Sequence, residues 1–195
     1  MWDQRYSEDQ YAYGTEPNEF LAAYASKLKG PALCLAEGEG RNGVFLATLG
    51  LQVTGIDSSE IGLAKAQKLA QSKKVSIETI VADLSDFDLG ENAYQSIVSI
   101  FAHFPRDLRR SLYARCLKAL QPGGIFLLEA YTEEQLSFGT GGPKDRDMLV
   151  TLDSLKEDFQ GCEIELLQRI ERQVVEGTYH TGLASVAQFI ARKPE

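Results

Sequence analysis

The chain has 195 residues, 44% of them hydrophobic and 25% charged, which is the size and composition of one globular domain with a core of its own. A formal net charge of -8 excludes a broad electrostatic attraction to phosphate backbones or anionic lipid, so neither nucleic acid nor a membrane is expected as a partner. Cys34, Cys116 and Cys162 show no ligand spacing, and the start Met1-Trp2-Asp3-Gln4-Arg5 is not that of a signal peptide, so a reduced cytoplasmic protein without a metal is expected.

In chain order, Phe20, Leu21, Tyr24, Ala25 and Leu28 fall at helical spacing behind Pro17-Asn18, and Gly30-Pro31 stops that helix. Ala32 to Ala36 reads as a buried strand, Val44 to Leu49 as a helix ended by Gly50, and Leu51 to Ile56 as a second strand that closes a βαβ unit on Asp57. Helix Glu60 to Ser72, strand Val75 to Val81, strand Ser96 to Phe101, helix Asp107 to Leu120 and strand Gly124 to Glu129 follow. This alternation predicts a doubly wound, mostly parallel sheet with helices on both faces.

After Ala130 the pattern changes. Residues 131–149 form a glycine-bearing loop of about 19 residues, either a lid over a substrate or a solvated loop of no catalytic consequence. A short helix, Thr151 to Phe159, precedes two strand-like runs, Cys162 to Val174 and Gly182 to Ala191, joined through Glu176-Gly177-Thr178-Tyr179. They read as an antiparallel hairpin at the sheet edge, which brings the sheet to seven strands.

The chemistry concentrates at the strand tips. Glu37-Gly38-Glu39-Gly40-Arg41-Asn42-Gly43 joins a strand to a helix, where free backbone N–H groups and the positive helix end face a ligand across the tips. Gly38, Gly40 and Gly43 have the GxGxxG spacing shared by several nucleotide-binding folds. Asp57, at the second tip, suits the two ribose hydroxyls of an adenosine, with Ser58 beside it; the alternative is that Asp57 merely caps the next helix. Asp83, at the third tip, can take an adenine amino group while Leu84 packs on the ring. Phe101 closes the fourth strand on the same edge.

With the turn Leu120-Gln121-Pro122-Gly123-Gly124 before the fifth strand, this set resembles the class I S-adenosylmethionine-dependent methyltransferases over almost the entire chain, and implies their Rossmann-like fold. Gly38-Glu39-Gly40-Arg41-Asn42, Trp2-Asp3-Gln4-Arg5-Tyr6 and Phe189-Ile190-Ala191-Arg192-Lys193 look more narrowly like the tellurite-resistance and thiopurine-type thiol methyltransferases. The resemblance implies a single domain over 1–195 that binds S-adenosylmethionine and releases S-adenosylhomocysteine. Its contacts are expected from Ala36, Glu37, Gly38, Gly40, Asn42, Asp57, Ser58, Asp83, Leu84 and Phe101. It also implies that segment 1–30 covers the cofactor's methionine end, with Trp2, Tyr6 and Tyr13 as contacts; the alternative is that these aromatics only anchor the terminus on the core.

One departure is plain. Cys34 stands where the class has an acid, and Ala36 where it has its first glycine. Glu37 takes over the polar role or points to solvent; Cys34 reads as a small buried hydrophobe.

Methyl transfer needs alignment and exclusion of water more than covalent help, and a base only for an acceptor that arrives protonated. His103, after the fourth strand, and His180, in the terminal hairpin, are the two histidines that can supply one. The alternatives are a packing residue for His103 and an exposed hairpin residue for His180. The expected reaction is in-line methyl transfer to a small-molecule acceptor: a thiol, a metalloid oxyanion or a small metabolite. A non-catalytic S-adenosylmethionine-binding protein and a nicotinamide-dependent reductase are the other readings of the same loop.

Overall fold

The computed structural model describes residues 2–177 and 180–195. Thr178 and Tyr179, expected in the hairpin turn, lie outside the described residues. Helices α1 (Trp2–Tyr6) and α2 (Glu19–Tyr24) precede strand β1 (Ala32–Leu35); then come α3 (Arg41–Thr48), β2 (Val53–Asp57), α4 (Glu60–Ser72), β3 (Glu78–Val81) and β4 (Tyr94–Ile100). Helix α5 (Arg106–Ala119), β5 (Leu120–Tyr131), α6 (Leu152–Asp158), β6 (Glu163–Glu176) and β7 (His180–Arg192) complete the chain.

The sheet runs β3-β2-β1-β4-β5-β7-β6. β1 to β5 are parallel, and β7 enters antiparallel between β5 and β6. This is the seven-stranded Rossmann-like sheet with a terminal hairpin that the alternation and the resemblance implied. The strand order reverses between β1 and β4, and the crevice at such a switch point is where open α/β sheets bind ligands.

Period-two alternation sorts side chains onto the two faces. Leu33 and Leu35 of β1 join Ile97, Phe126, Leu128 and Phe189 against α5 and α6, through Leu112, Tyr113, Leu155 and Phe159. Ala32 and Cys34 face the other way, onto Phe20, Leu21, Val44, Leu46, Ala66 and Leu69 of α2, α3 and α4. Cys34 is thus a fully buried core residue whose thiol burial pushes well above its ordinary pKa.

Local signals account for most boundaries. The Asn18 side chain caps α2 by accepting the Leu21 N–H, and Ser59 caps α4 by accepting the Gly62 N–H. β3 starts three residues later than the apolar run at Val75 suggested, and its side chains are only partly covered at the sheet edge. β5 begins four residues early: Leu120 pairs with Tyr94 across a bulge, so the Pro-Gly-Gly turn lies within an irregular strand start. Helix α1 was not expected from the sequence. Among the described residues, no helix is long and apolar enough to cross a membrane, and no group of His, Cys, Asp and Glu is placed to hold a metal ion.

Candidate cofactor and acceptor site

The glycine loop leaves β1 through Ala36, whose φ is +49°, and passes Gly38 (+58°) and Gly40 (+91°) before α3 begins at Arg41. A Cβ on Gly40 would lie 2.6 Å from the Ala66 Cβ of α4, so glycine here lets the two helices approach. Glu37 turns inward. Its Oε1 accepts the Gly43 N–H at 2.6 Å, its stem lies against Gly55, and the Cys34 thiol bonds to it. Burial raises its carboxyl to about 7 against the opposing pull of the Gly43 N–H. Glu37 therefore braces the loop from behind, the inner position left without an acid by Cys34.

Asp57, at the tip of β2, is buried. Its Oδ2 accepts the Gly38 N–H and its Oδ1 the Ser59 N–H, both at 2.8 Å. The helix cap is Ser59 rather than Asp57, so the carboxylate joins the glycine loop to the start of α4. Burial raises its pKa despite these N–H donors. Ser58 is exposed beside it. At the third tip Asp83 is exposed, held below the ordinary carboxylate range by the Ser85 N–H, while Leu84 is buried in the core.

The N-terminal segment lies over these tips. Tyr6 is buried, and a Cβ on Gly38 would come within 2.7 Å of its hydroxyl. Trp2, 44% exposed, stacks outside it at 6.0 Å. The segment is clamped by groups that sequence reading did not single out: Glu39 accepts the Ala12 N–H at 2.7 Å and pairs with Lys65 at 2.5 Å, and the Lys65 ammonium donates to the carbonyls of Glu8 and Gln10. Asn42 is turned the same way, its Oδ1 accepting the Asn18 N–H at 3.0 Å.

At the tip of β4, Phe101 is also left-handed (φ +50°). Its ring lies 4.6 Å from Tyr131 and 4.9 Å from His180, and the Tyr13 ring packs tilted 4.6 Å from His180 on the N-terminal side. β4, β5, β7 and the N-terminal segment thus converge in an aromatic box. His103 lies at its edge with both nitrogens engaged: Nδ1 faces the Phe101 carbonyl at 3.0 Å and Nε2 accepts the Tyr131 N–H at 3.0 Å. Burial, reinforced by His180 and Arg109, pushes its imidazole down to about 3, so it stays neutral with no free lone pair.

Beneath the box lies a buried ionic network. The Asn18 amide donates to Glu129 at 2.9 Å and to Glu176 at 2.8 Å; Arg172 pairs with Glu129, Arg41 with Glu176, and Gln188 donates to Glu129 at 2.7 Å. Burial works against the charged form of Glu176, yet His180, Arg41 and Asn18 outweigh it and hold the carboxyl near 2. A cavity of about 220 Å³ opens beside the network, bordered by Tyr13, Glu16, Arg41, Arg172 and Glu176. The only sequence-level sign of Glu129 was a carboxylate inside the apolar run Ile125 to Ala130.

The loop 131–149 is tied down rather than open. Gln135 is buried and binds Thr140 at 3.0 Å, Gly141 at 3.2 Å and the Ser185 N–H at 2.9 Å, and a Cβ on Gly142 would lie 2.6 Å from Tyr131.

A buried carboxylate at the β2 tip, an exposed one at the β3 tip and the glycine loop after β1 are groups of the kind that can hydrogen-bond an adenosyl ligand. Comparison with known proteins bears on the fold and the domain. Residues 32–124 match the family model described as a methyltransferase domain. No curated protein matches the sequence. Among solved structures, the chain is similar to TehB from Haemophilus influenzae, with a TM-score of 0.72, 21% identity and 98% of this chain covered; it spans 65% of that protein. It is similar over its whole length to the N-methyltransferase NodS from Bradyrhizobium japonicum WM9 in complex with S-adenosyl-L-homocysteine, with a TM-score of 0.71, 15% identity and 97% of that chain. A protein solved in connection with converting a disulfide bond into a thioacetal group during echinomycin biosynthesis aligns at a TM-score of 0.79 and 19% identity, over 99% of this chain and 91% of that one. At these identities the likeness is one of fold.

Proposed function

We propose that this chain is an S-adenosylmethionine-dependent methyltransferase, a reading its domain match and fold support, and that it methylates a small-molecule acceptor held between the β4 tip and the terminal hairpin. The observation that carries this reading is the convergence of Ala36, Asp57 and Phe101 at three strand tips beside an aromatic box.

S-adenosylmethionine supplies an electrophilic methyl group on a sulfonium. The chain's own groups then orient and exclude. Gly38, Gly40 and Asp57 would hold the adenosyl half, with Asp83 on its base edge, while Ala36, Phe101 and the roof formed by Trp2 and Tyr6 would enclose the methionine end. Glu37, Asn42, Ser58 and Leu84 support these contacts from behind or beside. The aromatic walls keep water from the transfer axis, which favours in-line displacement.

The two histidines take different parts. His103, with both nitrogens on backbone groups, positions Phe101 and Tyr131. His180 is the base for an acceptor that arrives protonated. Loop 131–149 acts as the outer wall of the acceptor side.

The test is calorimetry with S-adenosylhomocysteine followed by a methyl-transfer assay on small thiols, phenols and oxyanions. Binding with turnover of a small acceptor supports the reading. Absence of any binding heat at millimolar cofactor product overturns it.

A further inference from the structure

His180 and Glu176 face each other across the first register pair of the β6–β7 hairpin. His180 Nδ1 lies 4.0 Å from Glu176 Oε2, is buried, and has no hydrogen-bond partner among the described residues. The carboxylate it faces is fixed from two further sides, by Arg41 at 2.5 Å and by the Asn18 amide at 2.8 Å. The imidazole plane is in turn held by Tyr13 and Phe101, with Tyr131 edge-on at 5.5 Å. A buried carboxylate 4.0 Å from one ring nitrogen, beyond hydrogen-bond length, favours by its charge the tautomer that carries the proton there, and leaves the lone pair on the other.

The charges around this box bear on what can enter it. Arg41 is committed to Glu176, Arg172 to Glu129, Glu176 and Glu19, and Arg5 donates to the Tyr13 hydroxyl at 2.8 Å. An oxyanion would have to draw a guanidinium away from a buried carboxylate, which is costly. A neutral molecule with an apolar body meets no such cost and gains from the aromatic walls.

We propose that Glu176 is a positioning residue that fixes His180 as the Nδ1–H tautomer, so that Nε2 accepts the proton of a neutral acceptor, a phenol, thiol or amine type nucleophile on an apolar body. This deepens the methyl-transfer reading above and rests on it. In the step, the acceptor's lone pair forms the bond to the methyl carbon and the methyl–sulfur bond breaks with its pair remaining on sulfur. The sulfonium becomes a neutral thioether, and the acceptor's proton passes to His180 Nε2 and on to solvent. Burial, opposed by Glu176, lowers the His180 pKa and keeps Nε2 unprotonated at neutral pH. The other titratable or charged groups facing the ring are Arg41, Arg5, His103, Tyr13 and Tyr131.

The chain has two histidines, so 15N-histidine labelling of the full protein gives two imidazoles, with His103 as internal reference. The wild type should show His180 as the Nδ1–H tautomer, and Glu176→Gln should lower its pKa by about one unit while His103 stays put. An Nε2–H tautomer in the wild type, or an unmoved pKa in a folded variant, overturns the positioning role. If Glu176→Gln does not fold, the wild-type tautomer decides alone. Phenol and inorganic tellurite are then titrated separately into protein saturated with S-adenosylhomocysteine. A shift of the His180 signal with phenol and none with tellurite supports the acceptor class; a larger shift with tellurite, or none with phenol, overturns it. Failure to bind S-adenosylhomocysteine removes the methyl-transfer reading instead and leaves the tautomer result standing.

Discussion

Ala36 and Phe101, at the tips of the adjacent parallel strands β1 and β4, are both held in the left-handed region, at φ +49° and +50°. Left-handed backbone costs a residue with a Cβ about 1–2 kcal/mol, so strain is stored at both rims of one crevice. Phe101 is locked there by its N–H, which donates to the Glu129 carbonyl at 2.8 Å, and by its own carbonyl on His103.

Ala36→Gly should relieve the strain on the β1 side. Glycine is also freer in the unfolded chain, which offsets part of the gain, so a net stabilisation of about 0.5–1 kcal/mol is expected. Ala36→Val, with a branched Cβ in the same conformation, should destabilise. Urea denaturation of the two variants checks the order; a destabilised Ala36→Gly would mean that the left-handed turn costs nothing here.

Glu37 gives the protein a pH signature. Its folded pKa is near 7 against an ordinary 4.5, so between those values the folded state holds the proton more tightly than the unfolded one. Its contribution to stability is therefore fully present at low pH and declines as pH rises from about 4.5 to 7, by on the order of 3 kcal/mol, then levels off. Glu37→Gln, which keeps an acceptor for the Gly43 N–H, should remove that part of the slope. Parallel melting profiles of wild type and variant between pH 4.5 and 8 would contradict this.

Asp57→Ala removes a carboxylate that joins the glycine loop to α4 and, by the proposed function, binds ribose hydroxyls. Hydrogen bonds to a charged group are worth about 1.5–3 kcal/mol, so affinity for S-adenosylhomocysteine should fall by about tenfold to a hundredfold. Calorimetry on the folded variant reads this directly. Unchanged affinity would move the adenosyl group away from the β2 tip.

Glu129→Ala leaves the Arg172 guanidinium and the Asn18 amide short of a buried partner. Breaking a buried pair from one side costs about 3–5 kcal/mol, which should be visible as a lower denaturation midpoint; Glu129→Gln should cost less because it still accepts from Asn18. Equal losses for the two variants would mean that packing, not charge, holds this region.

The sheet was legible because it is written locally: apolar runs, glycine stops and the acids Asp57 and Asp83 each lie beside the element they end. The glycine loop was legible for the same reason, yet the inward turn of Glu37 was not, since it depends on the space left by Gly43 and Gly55. Glu39 and Lys65, 26 positions apart, form a buried clamp that no local pattern in the sequence announces. The network of Asn18, Arg41, Glu129, Arg172 and Glu176 draws on four separate segments, with only Arg172 and Glu176 on one strand, and no periodicity links one segment to another. Tyr131 read as the start of a loop because nothing local shows that Phe101 and His180 pack on it. The aromatic box exists only once the strand order is known.

The same long-range bonds set an order of assembly. Asn18 emerges during synthesis well ahead of its carboxylate partners Glu129 and Glu176, which follow 111 and 158 positions later. Segments joined over such spans close late, because chain entropy must first be overcome by the contacts of the sheet between them. The ionic network under the aromatic box is therefore expected to close only once β5 and β6 are in place, which makes its bonds a late step of folding rather than a seed for the sheet.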